Sequence, residues 1–198
     1  LSTLMLGGIR EICVISSPDH LPLFQRQLGD GSAWGVSFDY VEQQRPAGIA
    51  EAVLLAEEWL AGARCALALG DNLLYANGLT GMLKARQDFR AGAVCFAHRV
   101  RDPKAFGVVN FDQNDQPVSL EEKPRKPQSD WAVTGLYFYD QTAPGRVRKL
   151  KPSRRGELEI TDVNRRYLSE ERLHLEMLGR GFAWLDTGTE FSLLQAAN

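Results

Sequence analysis

The stretch CALALGD, residues 65–71, is the segment that decides the fold class of this chain. Its first five residues are apolar without alternation, which is typical of a strand in a parallel sheet covered on both faces. Strand-like and amphipathic helical segments alternate around it, with strands predicted at 10–17, 36–43 and 93–100 and helices at 20–29, 48–62 and 78–92. This alternation predicts an α/β fold with a doubly wound sheet and right-handed crossovers.

The second half of the chain has a different pattern. Residues 106–112 and 117–124 are strand-like and flank the turn sequence QNDQ, which predicts a hairpin. Further strands and one helix are predicted at 131–140, 173–178, 182–188 and around 159–171. We expect these mixed or antiparallel strands to extend the same sheet, so that residues 1–198 form a single domain with two lobes around a cleft.

The composition is that of an ordinary globular protein, with 198 residues, 44% of them apolar and 24% charged. The net charge of −2 argues against a nucleic-acid or anionic-lipid partner. No apolar run reaches the roughly 18 residues of a membrane span. Cys13, Cys65 and Cys95 lie in apolar runs without paired spacing, which favours buried, reduced thiols in a cytoplasmic protein. Both termini are helix-like without capping or stop signals, so we expect the chain to be cut at both ends.

Two aspartates end strand-like runs. Asp71 lies in Gly70-Asp71-Asn72, and Asp186 ends the run FAWLD. Ligands of open α/β sheets bind beyond the carboxyl ends of strands, and Mg²⁺ prefers carboxylate and phosphate oxygens. Either aspartate is also explained as an ordinary strand-end turn residue. If their strands are neighbours, the two carboxylates share one metal ion and face each other across the cleft.

Two basic motifs are candidates for binding phosphate. Glu121, Glu122 and Lys123 lie at the end of a strand that Pro124 terminates, and the pair Arg154-Arg155 precedes the helix predicted near 159. Arginine binds phosphate in a bidentate manner, and a lysine beside carboxylates can hold a sugar phosphate. The alternatives are a solvated, salt-bridged strand edge for the first motif and a plain surface loop for the second.

The segment 42–48, EQQRPAG, joins a predicted strand to a predicted helix. The amide of a glutamine, Gln43 or Gln44, can pair with the imide edge of a pyrimidine, and Gly48 lets a flat base approach the backbone. An ordinary strand–helix loop is the alternative interpretation. The glycines of residues 29–35 follow a helix and precede a strand, which is the reverse of the dinucleotide-binding order.

Taken together, the motifs resemble the bacterial glucose-1-phosphate thymidylyltransferases within the sugar nucleotidyltransferase family. The resemblance runs through LSTLMLGGIREICVIS, LGDGSAWG, LALGDN, FGVV, SLEEKP, AVTGLYFYD, RGELEITDVNR and GRGFAWLDTGT, which together extend over essentially the whole chain. It implies a Rossmann-like nucleotide-diphospho-sugar transferase fold with a mixed central sheet. It also implies transfer of a thymidylyl group from dTTP to α-D-glucose 1-phosphate with Mg²⁺, in dTDP-rhamnose and related surface-sugar biosynthesis, by a cytoplasmic homo-oligomer, usually a tetramer.

The resemblance also implies a role for each motif. It makes Asp71 and Asp186 the Mg²⁺ ligands and Lys123 and Arg155 the clamp on the sugar phosphate. The glucose would contact Glu122 and the backbone of Gly107 and Val133, while Gln43 and Gly48 would face the thymine. Residues 1–105 would then be mainly the nucleotide-binding half, and residues 106–198 mainly the sugar-phosphate-binding half.

Two departures from the family pattern change the expectation. Phe106 stands where the family usually has a tyrosine, so a hydroxyl near the sugar is lost. The family's GGxGTRL triphosphate loop and first strand would precede Leu1, and its C-terminal helices would follow Asn198. We therefore expect a sheet missing its first strand and a 198-residue chain that is inactive by itself. The alternatives are a uridylyl or other nucleotidyl transferase, or a non-catalytic fragment with the same fold.

Overall fold

The computed structural model describes residues 1–86 and 89–196. The α-helices in these ranges are α1 (Ser2–Leu6), α2 (Leu21–Leu28), α3 (Ile49–Leu55), α4 (Glu57–Leu60), α5 (Leu79–Ala85), α6 (Ala143–Val147), α7 (Ile160–Ser169) and α8 (Glu190–Ala196). The strands are β1 (Glu11–Ser16), β2 (Ser37–Glu42), β3 (Cys65–Ala68), β4 (Asn72–Ala76), β5 (Ala93–Arg99), β6 (Gly107–Phe111), β7 (Pro117–Glu122), β8 (Trp131–Tyr139), β9 (Leu173–Leu178) and β10 (Phe182–Asp186).

Strand β8 is the centre of the main sheet. The strand order is β7-β6-β8-β5-β9, and β3 pairs with the C-terminal half of β8 on the side away from β5. Strands β5 and β9 are parallel, whereas β3, β5 and β6 all run antiparallel to β8. The main sheet is therefore mixed, and it joins strands from both halves of the chain.

Two smaller ladders flank this sheet. Strands β1 and β2 are parallel and are connected through α2, as in a strand–helix–strand unit. Strands β4 and β10 form an antiparallel ribbon in which Asp186 lies opposite Asn72. The ribbon brings the ends of two distant segments to the same place beside β8.

Apolar side chains cover the main sheet on both faces. Successive residues of β5 alternate between two clusters, with Cys95 in one and Phe96 in the other, because side chains alternate along a strand. The first cluster includes Val163 and Tyr167 of α7, and the second includes Leu83 of α5. Helices on both faces account for the long buried run of β8.

A buried carboxylate closes the end of β8. Asp140 accepts hydrogen bonds from the Gly92 N–H at 2.6 Å, from Thr142 and Tyr167 at 2.5 and 2.8 Å, and from Arg172 at 2.9 Å. Burial raises the pKa of Asp140, but the hydrogen bonds from Thr142, Gly92 and Tyr167 outweigh it and hold the pKa below its usual value. The ionised carboxylate thus ties together the start of β5 and helices α6 and α7.

Several sequence predictions need correction. Strand β3 is antiparallel to its partner β8, not part of a parallel ladder, and its residues are only half-buried. Strand β4 was not predicted, the helix at 48–62 divides at Ala56, and the helix at 78–92 is shorter, with residues 87–88 outside the described ranges.

Cys95 is buried as predicted, but Cys13 and Cys65 are only partly buried. Burial nevertheless raises the pKa of Cys13 and of Cys65 to about 11, so both thiols stay protonated at neutral pH.

The facing edges of β1 and β3 are not paired with each other in the described part of the chain. A cavity of about 1130 Å³ lies between these strands and includes both Cys13 and Cys65 in its lining. This cavity explains why β3, although continuously apolar, is not fully covered.

Candidate active site

The carboxylates of Asp71 and Asp186 meet beside Gly188. A Cβ atom added to Gly188 would lie 2.8 Å from Asp71 Oδ2 and 3.1 Å from Asp186 Oδ1, so the two oxygens are close neighbours. The backbone N–H and hydroxyl of Thr187 each donate to the Asp71 carbonyl at 2.8 Å. The structure thus brings the two predicted aspartates together through the pairing of β4 with β10.

This pair has the chemistry of a site for a hard divalent cation. Within residues 1–86 and 89–196, no group of three or more His, Cys, Asp or Glu side chains is arranged to enclose a metal ion. Mg²⁺ is usually held by one or two carboxylates, with substrate phosphates and water completing the coordination. Two carboxylates at an open edge therefore fit a cation that is shared with a phosphorylated substrate.

The predicted sugar-binding residues also converge. Gly107 lies opposite Glu122 in the β6–β7 ladder. A Cβ atom at Gly107 would lie 2.9 Å from Thr161 Oγ1, 3.6 Å from Glu122 Oε2 and 3.9 Å from Val133 Cβ. The Thr161 hydroxyl donates to Glu122 Oε2 at 2.5 Å, which fixes that carboxylate. Gly107, Glu122 and Val133, which are far apart in the sequence, thus surround one point.

The sugar cluster and the carboxylate pair are connected through β8. The backbone N–H of Gly135 donates to the side-chain oxygen of Asn72 at 2.9 Å, next to Asp71. Val133 lies two residues earlier on the same strand, so it is roughly 7 Å away along β8. The two predicted sites are therefore parts of one continuous surface.

Arg155 lies between carboxylates. Its guanidinium Nη2 is 2.8 Å from Glu159 Oε2, 3.2 Å from Glu157 Oε2 and 3.4 Å from Glu122 Oε1. The Nε atom also donates to Glu159 Oε1 at 3.2 Å, so Glu159 is the main partner. The hydrogen bond with Glu159 raises the pKa of Arg155 above its ordinary value. Arg155 is thereby held, fully charged, against the glutamate of the sugar cluster.

Lys123 follows Glu122 directly and has a left-handed backbone with φ of 44°. Its N–H donates to the Phe106 carbonyl at 2.9 Å, which holds this conformation in place. Left-handed backbone is costly for a residue other than glycine and is often found at functional sites. The side chain of Lys123 is exposed, and its convergence with Arg155 on one anion remains a prediction.

Gln43 and Gly48 are brought together at the carboxyl end of β2. The Gln43 amide nitrogen donates to the Gly48 carbonyl at 3.2 Å and to Glu51 Oε2 at 2.7 Å. Gly48 has φ of +105°, and a Cβ atom there would lie 2.3 Å from the Leu158 carbonyl oxygen. The glycine is thus required by a close backbone contact, which the sequence pattern does not indicate.

Four residues of this surface were not singled out from the sequence. Thr161 and Glu159 belong to the motif RGELEITD, while Asn72 and Trp184 are neighbours of the two aspartates. All four residues lie inside sequence motifs that were already quoted for the family resemblance, and this was the signal by which they could have been found. Their roles depend on contacts between segments that are far apart in the chain.

This mixed α/β sheet presents a carboxylate pair beside a glutamate–arginine cluster, a combination that suits an enzyme acting on phosphate groups with a divalent cation. The chain belongs to the nucleotidyl transferase family, whose family model matches residues 1–198. Its relatives include glucose-1-phosphate thymidylyltransferases. The one from Neisseria gonorrhoeae is 52% identical over 100% of this chain and 69% of its own length. The one from Xanthomonas campestris is 51% identical over 100% of this chain and 67% of its own length.

Solved structures agree with this family. A crystal structure described as a glucose-1-phosphate thymidylyltransferase from Bacillus anthracis in complex with a sucrose has a TM-score of 0.88 and 37% identity, covering 98% of this chain and 77% of that one. A UDP-glucose pyrophosphorylase with bound UDP-glucose has a TM-score of 0.83 at 19% identity, covering 100% and 82%, which is a likeness of fold. The predicted family and fold class are confirmed.

No described helix is both long and apolar enough to cross a membrane.

Proposed function

We propose that this chain carries the metal and sugar-phosphate sites of an enzyme that transfers a thymidylyl group from dTTP to α-D-glucose 1-phosphate, giving dTDP-glucose and pyrophosphate. The observation that carries the proposal is the convergence of Gly107, Glu122 and Val133 beside Arg155, on the surface that also presents Asp71 and Asp186. The thymidylyltransferase relatives, at about half identity over the whole chain, supply the nucleotide and the sugar.

The reaction needs positioning more than proton transfer. A phosphate oxygen of glucose 1-phosphate forms a bond to the α-phosphorus of dTTP, and the bond from that phosphorus to the bridging oxygen breaks in line. The electron pair leaves with pyrophosphate. The attacking oxygen is already anionic at neutral pH, so no side chain acts as a general base.

We propose that Asp71 and Asp186 hold Mg²⁺. When bound there, the cation neutralises charge on the nucleotide phosphates, and the two carboxylates supply ligands that suit it. Thr187 fixes the backbone of Asp71 with its two hydrogen bonds.

The sugar phosphate binds across the second part of the surface. Glu122, fixed by Thr161, accepts hydrogen bonds from sugar hydroxyls, and the backbone of Gly107 and Val133 completes this subsite. Lys123 and Arg155 neutralise the sugar phosphate, which requires Arg155 to exchange its contact with Glu122 for the incoming anion. The residues of this subsite lie in the half formed by residues 106–198.

The nucleotide binds in the half formed by residues 1–105. Gln43 commits its amide nitrogen to Gly48 and Glu51, so its carbonyl oxygen is the atom that accepts the imide N–H of thymine. The same contact suits uracil, which makes uridylyl transfer the alternative function. A third candidate is a non-catalytic chain that keeps the fold for binding.

The family resemblance also supports a cytoplasmic homo-oligomer, a tetramer when full length, that acts in the biosynthesis of dTDP-rhamnose and related surface sugars. Leu73 and Tyr75 are 52% and 80% exposed on one face of the β4–β10 ribbon, next to Leu185, and an assembly would cover this apolar surface. Light scattering after size exclusion measures the mass directly. A monomeric mass of the full-length protein at micromolar concentration would contradict the tetramer.

The test is pyrophosphate release from dTTP and glucose 1-phosphate. It uses the chain by itself and a fusion in which the N. gonorrhoeae relative supplies the segment that the family places before Leu1. We expect turnover in the fusion, with dTTP preferred over UTP, and none in the 198-residue chain by itself, because the triphosphate loop supplies transition-state donors. A preference for UTP favours the uridylyl alternative, and a fusion without turnover favours the non-catalytic one.

A matched pair of lysine variants tests the site assignment. In the fusion, Lys123→Ala should raise the KM for glucose 1-phosphate at least tenfold while changing the KM for dTTP much less. Lys126→Ala, an exposed lysine three residues away, should change neither. Equal effects of Lys123→Ala on both substrates would contradict its role in binding the sugar phosphate.

A further inference from the structure

The side-chain amide of Asn72 has only one orientation that satisfies its neighbours. Its oxygen Oδ1 accepts from the Trp184 indole N–H at 2.6 Å and from the Gly135 backbone N–H at 2.9 Å. Because two N–H donors face the oxygen, the NH₂ group must point the other way. In that direction Nδ2 donates to Asp71 Oδ1 at 2.8 Å.

Both donors to Asn72 are themselves held firmly. The Trp184 side chain is buried in the β4–β10 ribbon, and its ring packs on Phe106 with ring centroids 5.0 Å apart. Gly135 lies inside β8, and a Cβ atom there would be 2.7 Å from the Asn72 side chain. The glycine therefore makes room for the amide, and the tryptophan closes over it.

We propose that Asn72, locked by Trp184 and Gly135, is a positioning residue that fixes the Asp71 carboxylate in its cation-binding orientation before any substrate binds. The inference rests on the proposed assignment of Asp71 as a metal ligand. Of the two Asp71 oxygens, Oδ1 takes the amide N–H, while Oδ2 is turned toward Asp186 at Gly188. Partners of metal-binding carboxylates typically change metal affinity by about 10–100-fold when they are removed.

Phe106 and Trp184 extend this link toward the sugar-phosphate residues. The Phe106 carbonyl holds Lys123 in its left-handed conformation, while its ring contacts the tryptophan that locks Asn72. Phe106 thus contacts both Lys123 of the anion site and Trp184, whose indole N–H holds Asn72 against Asp71. The phenyl ring makes this contact without the hydroxyl of the family's usual tyrosine.

The experiment is a titration of the protein with Mn²⁺ alone, followed by electron paramagnetic resonance. Asn72→Ala should raise the Mn²⁺ Kd about tenfold or more, and Trp184→Phe, which removes the N–H donor and keeps an aromatic ring, about threefold. The double variant should equal Asn72→Ala, because the tryptophan acts only through the amide. Trp59→Phe is the matched control, since it removes an indole bond to Asp39 at 2.8 Å outside the site.

The outcomes separate this proposal from the proposed function. Asp71→Asn should abolish tight binding of Mn²⁺, and if it does not, the metal assignment itself is wrong. If Asp71→Asn abolishes binding while Trp184→Phe and Asn72→Ala leave the Kd unchanged, the positioning role is wrong and the metal assignment stands. Additive effects in the double variant would also overturn it. Thermal unfolding identifies variants that only destabilise the ribbon, and Trp184→Phe keeps the test decisive if Asn72→Ala misfolds.

Discussion

Glu159 is the residue on which the placement of Arg155 depends most directly. Its side chain is only 9% exposed, and both of its oxygens contact the guanidinium, at 2.8 and 3.0 Å from Nη2 and 3.2 Å from Nε. The contact of Glu157 with the same Nη2 atom is single and longer, at 3.2 Å. Glu159→Gln therefore removes the charge and half of the acceptors of the main partner, and leaves the volume unchanged.

The expected size of the effect follows from this geometry. A hydrogen bond to a charged group contributes about 1.5–3 kcal/mol, of which a glutamine retains part. The Arg155 side chain is 41% exposed, so solvent screening reduces the loss further. We expect about 1 kcal/mol, which corresponds to an increase of about fivefold in the KM for glucose 1-phosphate.

The assay is initial-rate kinetics in the fusion protein, with each substrate varied at saturating concentrations of the other. Glu157→Gln, the matched control on the same guanidinium, should change the KM for glucose 1-phosphate by less than about twofold, as an exposed pair does. Glu159→Gln should leave the KM for dTTP nearly unchanged. Equal changes from the two glutamate variants would refute the reasoning, as would a shift confined to dTTP.

Three further predictions concern the carboxylate pair, the nucleotide loop and the buried aspartate. Gly188→Ala places a methyl group against both metal-binding carboxylates and should raise the half-saturating Mg²⁺ concentration about tenfold. Gly145 has open space around it, so Gly145→Ala should leave that concentration unchanged. The same Mg²⁺ dependence in both variants would contradict the proposed metal site. Gly48→Ala should lower the free energy of unfolding in urea by about 2–4 kcal/mol, from backbone strain and overlap together. Gly181→Ala, with φ of +98° but open space, should lose only about 1 kcal/mol, so equal losses would exclude overlap as the cause. Asp140→Asn should lower the free energy of unfolding at pH 7, but the variant and the parent should become equally stable in acid. The pKa of Asp140 is lower in the folded than in the unfolded protein, so its ionised carboxylate stabilises the fold above the unfolded pKa, and this stabilisation is lost as the pH falls through the folded pKa. A difference in stability that stays constant at all pH values would contradict this.

The sequence predicted those parts of the fold and site that are local. Residues 106–112 and 117–124 form the predicted hairpin as β6 and β7, and the helix predicted around 159–171 is α7. The two aspartates were selected because each ends an apolar run, and the structure places them together. Turn chemistry and hydrophobic periodicity act over a few residues, so a single sequence displays them directly.

Features that depend on pairing between distant segments could not be predicted. The apolar run of β3 does not reveal that its partner is the antiparallel β8, because strand direction depends on both partners. Thr161 reaches Glu122 across 39 positions of the chain, and Trp184 reaches Asn72 across 112. Nothing in the local sequence around Asn72 indicates which donors fix its amide. These contacts follow from the sheet order, not from periodicity.

The central claim is that this surface joins the phosphate of glucose 1-phosphate directly to the α-phosphorus of dTTP. The most direct test uses glucose 1-phosphate carrying ¹⁸O in its non-bridging phosphate oxygens, with the products of the fusion protein analysed by ³¹P nuclear magnetic resonance. We predict dTDP-glucose with ¹⁸O in the bridge between its two phosphorus atoms, together with unlabelled pyrophosphate. Label in the pyrophosphate, or dTDP-glucose with an unlabelled bridge, would contradict the account.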